Sequence, residues 1–442
     1  MRKLFVNICY ALALSASALA FAFLGTGCGA EEPSGHQHSW TEAYDKTYHW
    51  WFCPDDNTIK DKSEHILDVE GECLVCTAFS GETEGVLYEE AGDCARVVGC
   101  EQSYGKIRIL STYNGLPVTE IGESAFSEKY ISGVVIPNTV VSIGKWAFLE
   151  CESLKYLILP ESITTIEESA FEDCEALTKV EIPDSVISLG ESVFQSCENL
   201  TEITLSKNVK RIPTYAFRWC SNLPSVEIPE GVTAIGKGAF HACYELGDIK
   251  LPNTLTTIEE EAFSMCCRKL VSLDVPNSVE TIERNAFYNA FYLMYVDMSL
   301  GIKNLHLNAF RDCKKLQYNE YKNVKYFGNG NNPYAVLVGV SDQTLDSYTI
   351  HADTKVIVNY SMASLHAATR IEIPEGVTTI CSNAFTECDN VTAVIIPKSV
   401  AYIGENAFDR CTKATFYCKA ESLPSGWHLS WNNLNREVNW NY

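Results

Sequence analysis

The sequence predicts an α/β repeat solenoid: a β-rich array of about twelve 23-residue registers, preceded by a small Cys/His-rich module. Three observations predict it. Phenylalanine recurs at a nearly fixed step, a cysteine and a proline keep fixed distances from it, and a histidine- and cysteine-bearing stretch precedes the first recurrence. The chain has 442 residues, too many for one ordinary compact domain unless a repeat array absorbs them. Hydrophobic residues make up 46% and charged residues 21%, which is globular composition and excludes wholesale disorder. Asp+Glu is 57 against Lys+Arg 34, a net charge of -23, and no basic patch interrupts it. Such a chain is repelled by phosphate backbones, so nucleic acid is excluded as a partner.

Residues 1–27 read as a signal peptide. Arg2 and Lys3 precede a mostly apolar run from Leu4 to Leu24, followed by Gly25, Thr26, Gly27 and Cys28. Thr26-Gly27-Cys28 resembles the end of a bacterial lipobox, whose cysteine becomes lipidated; the resemblance implies lipidation at Cys28 and a membrane anchor through that lipid. Gly25 departs from the pattern, since Leu24 stands one place early. Cleavage without lipid and an uncleaved anchor are the other readings, because 21 apolar-rich residues can span a bilayer. The signal carries two positive charges and no acid, so the mature chain is near 32 − 57 = −25.

A polar linker, 28–35, leads to a small module at 36–78. His36, His38, His49 and His65 lie here with Cys53, Cys73 and Cys76. Cys73-Leu74-Val75-Cys76 is a C-x-x-C knuckle, which lets two thiolates reach one metal from a tight turn. Cys53 and His65 complete a tetrahedral set for a structural zinc, the only cofactor the sequence suggests. A disulfide, free thiols and a redox pair remain open, although the strand–helix context of a thioredoxin-like redox site is missing. The His-x-His-x-Trp run at 36–40 and the terminal C-x-x-C resemble a short N-terminal module of bacterial repeat-bearing surface proteins.

After an N-terminal cap at 83–118, the repeats occupy 119–411. Phe126, Phe148, Phe171, Phe194, Phe217, Phe240, Phe263, Phe287 and Phe310 follow at steps of 22, 23, 23, 23, 23, 23, 24 and 23. Met362, Phe385 and Phe408 continue the register at steps of 23. Nine registers carry a cysteine three residues later, and a proline stands eleven before the aromatic in eight, as at Pro160 and Pro229. In one unit, Leu157 and Leu159 alternate inward as a strand requires, and Pro160 ends it for want of an N–H. Ser162–Ile166 is a second β-prone stretch; Glu167–Ala170 then turns the chain and plants Phe171 in the core. One such copy cannot bury its apolar face alone, so stability requires stacking on neighbours.

Pro229-Glu230-Gly231-Val232-Thr233-Ala234-Ile235-Gly236-Lys237-Gly238-Ala239-Phe240-His241-Ala242-Cys243 resembles the unit of the BspA-type leucine-rich repeat nearly position for position. The resemblance covers about residues 83–442, including a cap-like Tyr113–Val118 and a C-terminal cap at 412–442. It implies a bacterial surface or secreted protein with a role in adhesion or recognition, without naming a partner.

Between Phe310 and Met362 the step is 52, or 23 + 29. The surplus at about 317–348, with Asn329-Gly330 between aromatic and β-branched runs, predicts a hairpin that projects from the solenoid. The ladder cysteines, at a register where Ala290 also occurs, read as buried free thiols. Cys94 and Cys100, outside the ladder, read as disulfide candidates.

For function, the exposed strand face is the working surface. One column reads Val135, Ile158, Glu181, Thr204, Glu227, Lys250, Asp274, Asp297, Glu372 and Ile395, with Tyr156 and Tyr295 in the next. Tyr156, Ile158, Glu181, Glu227, Lys250, Asp274, Tyr295, Asp297 and Glu372 are the candidate binding residues, aromatics on such a face being candidate hot spots. The expected partner is an extracellular protein or glycan, host-derived in an adhesion role. A structural spacer presenting the N-terminal module is the alternative. A hydrolase is a third: His241 and His351 are its only starting points, no nucleophile motif accompanies them, and Glu167-Glu168 and Glu259–Glu261 read as solvated turns. The sequence therefore predicts no enzyme.

Overall fold

The computed structural model describes residues 41–44, 48–52, 59–64 and 85–442 except 267 and 329. The chain divides into two units between Ser63 and Glu64. At the N-terminus, a three-stranded sheet runs in the order Thr41–Tyr44, Tyr48–Phe52, Ile59–Glu64, the first pair antiparallel. Cys28, Cys53, His65, Cys73 and Cys76 lie outside the described residues.

The large unit is a stack of 23-residue turns. Each turn contributes a three-residue strand to one face and a two-residue strand to another. Face strands pair in parallel and in register, as Glu227 with Lys250 and Asp274 with Asp297. The two-residue strands, such as Arg211–Ile212 and Ala234–Ile235, stack likewise. The sheets form because the turns are nearly equal in length, so equivalent N–H and C=O groups meet. Among the described residues the returns are turns, without helices, so strands and turns alone build the array.

The phenylalanine register is the spine. From Phe126 to Phe310 successive rings are stacked with centroids 5.0–5.7 Å apart and planes within 11°. Phe385 and Phe408 resume it at 5.0 Å. Except before Phe310, the residues two before and two after each ring hold a left-handed backbone, as Ser192 (φ 54°) and Ser196 (φ 58°) around Phe194. These kinks reverse the chain around the ring, and inter-turn bonds fix them: the Ser192 N–H donates to the Thr214 carbonyl at 2.9 Å.

Eight of the nine ladder cysteines, all but Cys266, also donate to a main-chain carbonyl of an earlier turn. Cys197 Sγ donates to the Phe171 carbonyl at 3.2 Å and Cys220 Sγ to that of Phe194 at 3.2 Å. In the degenerate copy, Cys388 Sγ donates to the Met362 carbonyl, also at 3.2 Å. Eight of the nine ladder cysteines are free thiols; Cys266 is disulfide-bonded. Cys94 and Cys100, expected as a disulfide, are free as well. They are the first and last residues of one strand, Cys94–Cys100, and so stand about 20 Å apart at the usual rise, beyond the roughly 7 Å that a disulfide tolerates.

Both ends of the stack are closed. Val86–Ala91 runs antiparallel to Cys94–Cys100 and covers the first sheet edge. At the C-terminus, Thr415–Cys418 and Val438–Trp440 extend the face sheet, and Trp427 and Trp431 pack edge-to-face over the last turns. Arg436 Nη1 donates to the carbonyls of Phe408, at 2.8 Å, and Cys411, at 3.0 Å. It replaces the thiol that a further turn would have brought to Phe408.

The insertion differs from its prediction. It is a three-stranded antiparallel meander, Asn319–Tyr321, Val324–Phe327 and Val336–Val340. Its tight turn is Lys322-Asn323, both with positive φ, and the segment 328–335, which holds the expected Asn-Gly, joins the second antiparallel pair. The meander is built into the stack instead of projecting: its last strand pairs in parallel with Val356–Ile357, and Val324, Tyr326 and Leu337 are wholly buried. It nucleates a second core, which runs on to the C-terminal cap.

The paired carboxylates also differ from expectation. They tie turns together rather than simply facing solvent. Glu167 accepts the Lys145 N–H at 3.1 Å, and Glu259 accepts the Lys237 N–H at 3.0 Å while binding the Arg211 guanidinium with both oxygens at 2.6 Å.

Candidate strand-face groove

The strands from Ser225 to Asp297 carry an open groove of about 660 Å³. Its floor is Ile228, Ile249, Leu251 and Val275, the inward or half-buried positions of three successive turns. Pro229, Pro252 and Pro276, where each strand stops, form one side. The charged rim comes from the outward strand positions: Glu227, Asp248, Lys250, Asp274 and Asp297, with Glu230 from the loop. Period-two alternation explains this division: the central residue of each strand points in, and both neighbours point out.

Five carboxylates thus face one ammonium. Lys250 Nζ lies 3.5 Å from Glu227, an exposed pair of little energetic weight. Among the described residues, Glu230, Asp248 and Asp274 have no cationic group within ion-pair distance.

Asp274 and Asp297 also line a second recess, of about 370 Å³, where the face meets the insertion. Ser272, Tyr295 and Val296 supply the face side; Tyr318, Phe327, Gly328 and Pro333 supply the wall. Tyr295 is 53% exposed and Tyr318 42%. Tyr318 stacks on Phe327 at 5.1 Å, with Lys325 Nζ 5.8 Å from its ring.

The structure therefore brings together Glu227, Lys250, Asp274, Tyr295 and Asp297. Four other residues named from the sequence lie on the same face but outside the groove. Glu181 is held by Lys179, which also reaches Glu202; those carboxylates raise the lysine's pKa. Glu372 meets Arg370 at 3.4 Å. Tyr156 and Ile158 are half-buried, and Ile395, in the same column, is buried. Asp248, Glu230 and Tyr318 were missed. Asp248 was readable, because it occupies the same outward column as Tyr295. Tyr318 was not, because the insertion leaves the 23-residue period.

Neither histidine forms a catalytic arrangement. His351 stacks on Tyr334 at 4.0 Å, meets Tyr321 edge-on at 4.8 Å, and accepts the Asp353 N–H through Nδ1 at 3.2 Å. His241 is half-buried, which lowers its pKa, and lies against Trp219. Among the described residues no three His, Cys, Asp or Glu side chains gather as a metal site.

The model of the family described as "BspA type Leucine rich repeat region" matches in six copies, over residues 119–243, 210–331 and 341–423. The chain belongs to this family. Among solved structures, this BspA-type chain is similar to a T. pallidum leucine-rich repeat protein, with 29% identity over 43% of this chain and 90% of that one, TM-score 0.41. A leucine-rich repeat protein of Bacteroides ovatus is 20% identical over 82% of this chain and 100% of its own, TM-score 0.45. A leucine-rich cell surface protein of Faecalibacterium prausnitzii is 23% identical over 89% and 97%, TM-score 0.36. No curated protein matches.

Proposed function

We propose that this BspA-type protein is a bacterial cell-surface recognition protein whose strand-face groove binds an extracellular macromolecule, a protein or a glycan. The observation that carries the reading is the groove itself: exposed charged and aromatic side chains, held in register on a rigid strand floor, with a recess at one end. A surface whose positions are fixed before binding loses less conformational entropy on association. Export through residues 1–27 and lipidation at Cys28 would hold the array outside the cell, and a zinc on Cys53, His65, Cys73 and Cys76 would staple the small module.

The test is binding of the mature chain, residues 28–442, to an array of extracellular-matrix proteins, mucins and glycans. Saturable binding that Tyr295→Ala weakens supports the reading. Capture of none of these ligands overturns it in favour of a spacer, a role that the stack of turns would also serve. Mass spectrometry of the native N-terminus tests the lipid, and metal analysis of the mature chain with and without chelator tests the zinc.

A further inference from the structure

Building on that reading of the groove, we infer that its occupant is an extended cationic polypeptide segment, one of whose arginine or lysine side chains enters the recess between Asp274, Asp297 and Tyr295.

Charge comes first. The groove presents five carboxylates and one ammonium, and that ammonium already leans toward Glu227. Glu230, Asp248 and Asp274 have no cationic group within ion-pair distance among the described residues; an anionic or neutral glycan would leave this charge uncompensated, and a sulfated or uronic chain would be repelled. A cationic segment compensates it. The carboxylates are distributed along the groove rather than gathered at one point: Glu227 and Glu230 on one turn, Asp248 on the next, Asp274 and Asp297 on the following two. Stacked strands lie about 4.8 Å apart, so the acids span roughly 15 Å. That length fits several residues of extended chain and exceeds a single small cation.

The recess adds the chemistry of one anchor. Asp274 and Asp297 are register partners on adjacent strands, so both carboxylates face the same small volume. Tyr295 is exposed beside them, and the exposed ring of Tyr318 supplies apolar surface for an aliphatic stem. A guanidinium suits this set: it donates in a planar fork to carboxylates and stacks on an aromatic face. The insertion closes the far end with Tyr318, Gly328 and Pro333, so the anchor's position is defined along the groove.

The experiment measures fluorescence anisotropy of a labelled Arg-Gly-Arg-Gly-Arg-Gly-Arg peptide on the mature chain, against an equally long Glu-Gly peptide, spermidine, heparin and a neutral mucin glycan. The Arg peptide should bind saturably and lose affinity as salt rises, and the Glu peptide and glycans should not bind. Asp274→Asn with Asp297→Asn should weaken it about tenfold or more, and Tyr295→Ala severalfold. Glu372→Gln, on the same face but outside the groove, should leave binding unchanged. Circular dichroism shows that each variant is folded; Tyr295→Ala carries the test if the double variant is not. The inference is overturned by equal affinity in the folded recess variants, by spermidine competing as well as the peptide per charge, or by preference for a glycan. If an extracellular ligand from the wider array still binds in a Tyr295-dependent way, recognition stands and only the cationic partner falls. If no ligand binds, both fall.

Discussion

The side-chain oxygen of Asn359 accepts the backbone N–H of Leu305 at 2.8 Å, across 54 residues of sequence. Asn304–Leu305 is the last two-residue strand of its sheet, and the next such strands, Val336–Val340 and Val356–Ile357, belong to another. The insertion interrupts the stack here, so the N–H that a further turn would have used meets a side chain instead. Asn359 is buried and joins the two halves of the array.

Asn359→Leu should therefore destabilise the protein by about 1–3 kcal/mol, because it leaves a buried donor unsatisfied. Urea denaturation measures this. A loss below about 0.5 kcal/mol would show that the Leu305 N–H finds another acceptor.

Phe217 is wholly buried, with ring centroids 5.7 Å from Phe194 and 5.4 Å from Phe240. Phe217→Ala should cost about 3–5 kcal/mol, since the stacked rings on either side cannot close onto the cavity. Reversible denaturation is the readout, and a cost under about 1 kcal/mol would contradict the packing.

The regular part of the fold was legible because it depends on spacing. A fixed period forces equal turns, and equal turns put Asp274 beside Asp297 and Glu227 beside Lys250 as the column foretold. What escaped depends on departures from the period. The antiparallel pair on either side of Asn329-Gly330 was legible; the tight turn Lys322-Asn323, whose residues both adopt positive φ, and the parallel pairing that builds the meander into the stack were not. The left-handed positions were also hidden. Serine, tryptophan, tyrosine, glutamate and asparagine all occur two residues before the ring, as at Ser192, Trp146, Tyr215, Glu261 and Asn285. Inter-turn hydrogen bonds impose that conformation, so residue type does not reveal it.

That register yields a paired prediction. Ser192 is held at φ 54°. Ser192→Gly should be neutral or stabilising by up to about 1 kcal/mol, and Ser192→Val should cost about 1–2 kcal/mol, because a left-handed backbone crowds a side chain at Cβ and most of all a branched one. Thermal denaturation of the two variants decides it. Equal melting temperatures would show that the turn relaxes out of the left-handed region.

The thiol ladder makes stability depend on alkaline pH. Burial raises the Cys151 pKa to about 12, and it raises those of Cys174, Cys197 and Cys220 as well. In the unfolded chain these groups ionise near 9. Above that pH the unfolded state binds fewer protons than the folded state, so unfolding becomes more favourable as pH rises. The neutral-thiol contribution is complete below pH about 9 and is lost as pH climbs toward the folded values, at about 1.4 kcal/mol per pH unit for each thiol. Lysines held by carboxylates, such as Lys207, have raised values and push in the same direction, so the whole-protein slope is not diagnostic. A single deletion is. Cys197→Ala removes one titrating thiol and the bond to the Phe171 carbonyl. It should lower stability at pH 7 by about 1–2 kcal/mol, and its stability should fall less steeply between about pH 9 and 11, by about one proton's worth of slope. Urea titrations at a series of pH values compare the slopes. Parallel slopes would mean that Cys197 ionises alike in both states and that the ladder is open to solvent.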